Sequence, residues 1–227
     1  MKIKYFFSAA VCAAMAFIFF ACSSDDSGGA AGGSNFADLP KQVYIWEYDD
    51  NGDLIVQREE YKGNGDIELH FGDEDKYDVI PAGKIQNGQI SLNLPIIDSE
   101  DLNKWESCDD TNCQISVVPK NLSVIGGLSS FDVNIPNKSN CNNLRLHLIK
   151  SDKGDRVRFF YFSESGKITG TETETYDYGG EYKYTYDMNF SKGWNLVVIY
   201  SDGNGNSYVT TDLSDGELEW SLLCRDD

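Results

Sequence analysis

The chain has 227 residues, 37 of them acidic against 19 basic, for a formal charge of -18. Nucleic acid and anionic lipid surfaces are polyanions that so acidic a chain repels, so neither is expected as a partner; neutral glycans and apolar molecules are not excluded. The length allows a sizeable core in one domain or two small ones.

The start has the layout of an export signal. Lys2 and Lys4 precede an uncharged run from Tyr5 to Ala21, too short for a spanning helix and ending in a small residue before Cys22. The Ala21-Cys22 junction resembles the lipobox of bacterial lipoproteins, with Phe19 and Phe20 departing from its usual Leu and Ala or Ser. That resemblance implies cleavage after residue 21 and lipid on Cys22, with the diacylglycerol-plus-amide arrangement that stable anchoring needs. Cleavage would remove two lysines and no acid, taking the charge from -18 to -20. Residues 22–40 read as a tether, because Ser23 to Ser34 are mostly Gly, Ser, Ala and Asp and cannot form a core. Asp25-Asp26 resembles the acidic export tag of surface lipoproteins in Bacteroidetes. The expected location is the bacterial outer membrane; the aspartates fit the cell surface and a merely solvated linker equally, so its inner and outer faces both stay open.

From residue 41 the pattern is short strands and glycine turns. Val43 to Tyr48 is β-branched and aromatic, and Asn51-Gly52 supplies a hairpin turn. Ile67, Leu69 and Phe71 alternate with Glu68 and His70, and Ile90, Leu92 and Leu94 share a face before Pro95. Residues 98–106 are the one helical candidate, with Asp98 or Ser99 as cap and Leu102 and Trp105 on one face. Leu144, Leu146 and Leu148 alternate with Arg145 and His147, and Val157 to Phe162 is aromatic on both faces. Threonines occupy every second position up to Thr175. Tyr182, Tyr184, Tyr186, Met188 and Phe190 form the most regular alternation in the chain. Asp202 to Asn206 makes another turn, and Leu218, Trp220 and Leu222 close the fold. About ten to twelve strands with turns every eight to twelve residues predict an all-β antiparallel meander, barrel or sandwich with one short helix. Residues 41–227 read as a single domain, with a subdivision near 96–114 as the alternative.

Gly88 to Pro95, Phe160-Tyr161-Phe162 with Ile168-Thr169-Gly170, Phe190 to Asn195 and Leu218-Glu219-Trp220 together resemble a pattern in lipoproteins of Fibrobacter, Treponema and Bacteroidetes. The resemblance spans most of residues 41–223. It implies an all-β, lipocalin-like or sandwich-like fold and brings no established activity.

Four cysteines follow Cys22. In an exported protein Cys108, Cys113, Cys141 and Cys224 suggest two disulfides, with three connectivities open. Cys108–Cys113 with Cys141–Cys224 is favoured, a short loop and a long staple; zinc is the rival, opposed by the lack of a second tight pair. His70 and His147 fall on the polar sides of their strands, where solvated residues are expected rather than bases. Ser163-Glu164-Ser165-Gly166 lacks the leading glycine of a nucleophile elbow. Glu172 and Glu174 share a strand face, but so acidic a chain always supplies such pairs, and a hydrolase using paired carboxylates ranks third. No cofactor is required. Calcium has one candidate loop, Asp49, Asn51, Asp53 and Glu60, at EF-hand positions 1, 3, 5 and 12, although Leu54 stands where glycine is needed. Asp202-x-Asn204-x-Asn206 is a second, incomplete candidate.

Most aromatic residues belong in a core. Tyr176, Tyr178 and Tyr182, around Gly179-Gly180, are the expected exposed set. The sequence therefore points to a non-catalytic binding module for a glycan or a small apolar ligand, with an envelope protein that recognises another protein as the alternative.

Overall fold

The computed structural model describes residues 36, 38–48, 54–71, 78–105, 113–135, 143–150, 155–175, 180–214 and 216–225. Within them sixteen strands join in one mixed sheet, with a single turn of 3-10 helix. The expected all-β class holds, with more strands than the ten to twelve read from the turns. In chain order, β1 (Val43–Tyr48) pairs with β2 (Leu54–Glu60), and β3 (Gly65–Phe71), β4 (Asp78–Gln86) and β5 (Gln89–Leu92) form a meander. Next come β6 (Asn103–Lys104), β7 (Cys113–Val118), β8 (Ser123–Leu128) and β9 (Phe131–Asn134). The second half holds β10 (Asn143–Lys150), β11 (Arg156–Phe162), β12 (Gly166–Thr175), β13 (Glu181–Phe190), β14 (Gly193–Ser201), β15 (Asn206–Thr210) and β16 (Leu218–Arg225).

Two pairings are parallel, β1 with β16 and β13 with β15, so the sheet is mixed rather than purely antiparallel. Parallel neighbours need a crossover. Here β14 is that crossover: β15 turns back from it and slots between β14 and β13.

The sheet branches at the β10–β11 hairpin. One edge of β10 pairs with β16 throughout, while its other edge pairs with β9 at Arg145 and Leu146 and with β11 at Leu148 and Ile149. β11 likewise pairs with β10 at its start and with β8 from Phe159 onward. Two halves result, β5-β4-β3-β9-β10-β16-β1-β2 and β6-β8-β11-β14-β15-β13-β12-β7. In the first half a bridge between Gln42 and Gln89 joins β5 back to the start of β1, making a ring of pairings. Gly88 permits that closure. Its φ is 77°, its carbonyl accepts from Val43 N–H at 2.9 Å, and a Cβ there would lie 1.7 Å from the Tyr61 carbonyl oxygen.

Alternation along each strand divides the apolar side chains between two cores. The larger core takes Leu144, Leu146 and Leu148 of β10, Phe159 of β11, Trp194 of β14 and Trp220 of β16. The second takes Phe162, Ile168, Met188, Phe190, Val197 and Val209. β11 and β14 serve both, which explains why Val157 to Phe162 reads as apolar on both faces. Full burial of a large apolar side chain contributes about 1.5–3 kcal/mol, and Trp194, Trp220, Phe159 and Phe162 are each completely buried.

The helix expected near 98–106 is replaced by the 3-10 turn Ser99–Asp101 and β6. Asp98 is extended and makes no side-chain cap bond, and Leu102 is extended again at φ -92°, ψ 129°. A first helical turn fixes several residues for one hydrogen bond, and this segment has little apolar face to offset that cost. It pairs instead: Asn103 aligns with Val124, and Trp105 N–H donates to the Leu122 carbonyl at 2.8 Å.

Candidate functional site

The larger core draws on β11 and β14 but on no residue of β15, β13, β12 or β7, so one face of the second half runs out beyond the first half that covers it. At the corner where cover ends lies a cleft of about 480 Å³. Register builds its floor. Residues paired across strands share a face, so Tyr200 of β14, Tyr208 of β15 and Thr185 of β13 form one row. Val198, Thr210 and Asp187 form the next. The rings of Tyr200 and Tyr208 stack with centroids 5.1 Å apart and planes 15° from parallel. Tyr208 is 37% exposed, one of few large apolar side chains left open to solvent among the described residues.

The wall comes from the branch point. Lys150 ends β10 on the same face as Leu144, Leu146 and Leu148, and it lines the cleft while only 4% exposed. Its N–H donates to the Asp155 carbonyl at 2.8 Å, which closes the hairpin and sets Asp155 beside it in the lining. Beyond β15 the chain is pinned from both sides. Asn189 N–H donates to Thr211 Oγ1 at 3.0 Å and Thr211 Oγ1 donates to the Asn189 carbonyl at 2.9 Å. Asp212 then turns into the cleft rim, its N–H on Thr210 Oγ1 at 3.0 Å. Hydrogen bonds from the Ser214 hydroxyl and amide hold the Asp212 carboxyl below the ordinary carboxylate range, with the charge of Lys150 adding to them. A carboxyl held low stays ionised, which suits a fixed acceptor and not a general acid.

No family model, no curated protein and no solved structure matches this chain. An aromatic pair, two threonines, three aspartates and one buried lysine present an apolar surface beside hydroxyl, carboxylate and ammonium groups. Few convergent polar groups around an apolar floor are what orient a small or chain-like ligand.

The sequence candidates fall elsewhere. Tyr182 is 46% exposed, but it pairs with Glu174 at the start of β13 and shares the face of Tyr184 and Tyr186, opposite to that of Tyr208. Tyr176 and Tyr178 lie outside the described residues, as do Asp49, Asn51, Asp53, Cys22, Cys108 and Cys141. Glu60 is exposed at the end of β2, aligned with Tyr44. Cys113 is disulfide-bonded at the start of β7, and the backbone of Cys224 lies opposite Leu144 in β16. Among the described residues no group of His, Cys, Asp and Glu is arranged to hold a metal. The Asp202 turn uses its own carboxylate: Oδ1 accepts from Asn204 N–H at 2.8 Å and Oδ2 from Asn206 Nδ2 at 2.7 Å. Those bonds, led by the Asn206 side chain, lower the Asp202 carboxyl below its ordinary value.

The histidines divide. His70 is partly exposed between Asp132 at 3.4 Å and Glu68 at 3.7 Å. His147, expected on a solvated side, is buried at 4% exposure, with Nδ1 2.9 Å from the Ser129 carbonyl and Ser221 as its cross-strand partner. Tyr186, on the second core, is raised well above its ordinary value, first by burial and then by Glu172, whose Oε2 its hydroxyl donates to at 3.1 Å.

The tyrosine pair was the feature missed. A signal for it exists in the spacing: Tyr200 and Tyr208 stand equally far from Asn204, so a hairpin centred there brings them side by side.

Proposed function

We propose that this chain is an exported, lipid-anchored module that binds a glycan without transforming it, and that the cleft around Tyr200 and Tyr208 is where the glycan sits. The observation that carries the proposal is the stacked tyrosine pair, Tyr208 exposed and Tyr200 half-buried against the larger core, with Thr185, Thr210, Asp155, Asp187 and Asp212 around it. Sugar rings offer apolar C–H faces and peripheral hydroxyls, and that ligand chemistry fits an aromatic floor with acceptors at its rim. Export and anchoring rest on the signal-like residues 1–21 and on Cys22. A small apolar ligand in a hollow interior has less support. The larger core is filled by rings in contact, with Phe131 4.7 Å from Phe159 and Phe159 stacked on Trp220 at 6.1 Å.

Affinity electrophoresis of the full-length protein in gels containing soluble polysaccharides tests this. Retardation by one neutral polysaccharide is expected, reduced in Tyr208→Ala and Tyr200→Ala and kept in Tyr182→Ala. Equal mobility in every gel, or retardation lost only in Tyr182→Ala, would contradict it.

A further inference from the structure

The two rows on the cleft floor do not stop at β13. Thr185 is paired with Thr171 of β12 and Thr171 with Gln114 of β7; Asp187 is paired with Thr169 and Thr169 with Ser116. Neither row has a register break between β15 and β7, so the same face continues as a shelf across five strands from Tyr200 to Gln114. With strands about 4.8 Å apart the shelf is roughly 19 Å long. Along it the exposed chemistry changes from aromatic to hydroxyl and amide. Its charges are mixed and acidic overall: Lys150, Lys167 and Lys183 stand among Asp155, Asp187 and Asp212, with Lys167 Nζ 4.0 Å from Asp187, while Asp202 in the row of Lys183 and Glu181 beyond it add to the acids.

We infer that the ligand is an uncharged, linear polysaccharide that lies across the strands, one ring against Tyr208 and the following rings along Thr185, Thr171 and Gln114. This rests on the glycan reading above and adds to it the ligand's charge and its manner of binding, as a chain segment rather than a single terminal sugar. The excess of acid repels an anionic glycan, and the hydroxyl and amide groups of Thr185, Thr171 and Gln114 match uncharged sugar hydroxyls. The shelf's length beyond the tyrosines offers contacts that only a longer chain can reach.

The test is calorimetric titration of the full-length protein with manno-, gluco- and xylo-oligosaccharides, from disaccharide to hexasaccharide, beside a polyuronate. In the neutral series that binds, affinity should rise about tenfold or more with length. Thr171→Val and Gln114→Ala should remove much of that rise while leaving disaccharide affinity unchanged, and thermal melts should show both variants folded. Affinity that is flat with length, or long-chain binding untouched by both substitutions, would confine the site to the tyrosine pair and overturn the shelf while the glycan reading stands. Preference for the polyuronate would overturn the neutral ligand. Absence of binding to every oligosaccharide would remove both the glycan reading and the shelf.

Discussion

Tyr208 is exposed because only one of its two cross-strand partners is large: Tyr200 stacks on one side of its ring, and the small Thr185 leaves the other side open. Removing the ring deletes an apolar contact without opening a core, so Tyr208→Ala should weaken glycan affinity about tenfold, near 1.4 kcal/mol, and leave the melting temperature within experimental scatter. A large fall in stability would mean that the ring is structural. Asp202 makes the opposite case, a polar side chain whose role is the turn. Its carboxyl is lowered in the fold by Asn206 and Asn204, so its contribution to stability is present above the unfolded value of about 3.9 and is lost as pH falls through the lower folded value. The destabilisation caused by Asp202→Ala, read from thermal melts, should therefore be full at neutral pH and shrink in acid. A difference that persists unchanged in strong acid would show that the hydrogen bonds do not depend on the charge. At this scale the turn was legible as Asp-x-Asn-x-Asn; that its acid caps amides instead of a cation was not, because both uses call for the same residue types.

Among elements, β12 holds the shelf together, paired over ten positions with β13 and over six with β7. Gly170 sits at its centre with φ of 127°, and a Cβ there would meet the Gln114 carbonyl oxygen at 1.9 Å. Gly170→Ala must push β7 away or strain the backbone, so it should cost about 3 kcal/mol in denaturant unfolding and reduce long-chain binding with it. A neutral effect would mean that β7 is loosely held. The strands themselves were readable wherever turns and alternation agree, as in β3, β10 and β13. The segment at 98–106 misled because two apolar residues three apart fit a helix as well as a strand entry, and only pairing with β8 decides between them. The insertion of β15 beside β13 was beyond local pattern, since nothing in either strand specifies a partner across an intervening strand.

For the whole molecule, the two cores meet at β11 and β14, and the site lies where the larger core ends, at the rim of the first half. That location follows from tertiary pairing, so the sequence could supply an excess of aromatic residues but not which of them remain uncovered. Placement at a membrane depends on the other end of the chain. Cys22→Ala should abolish metabolic labelling of the protein by palmitate and move it from the membrane fraction to the soluble fraction, whereas labelling that survives would contradict lipidation at Cys22. The most direct test is a glycan array probed in parallel with the full-length protein and Tyr208→Ala. Binding to one class of neutral polysaccharide by the full-length protein, and its loss in the variant, is the expected result. Identical binding by both proteins, or no binding by either, would contradict it.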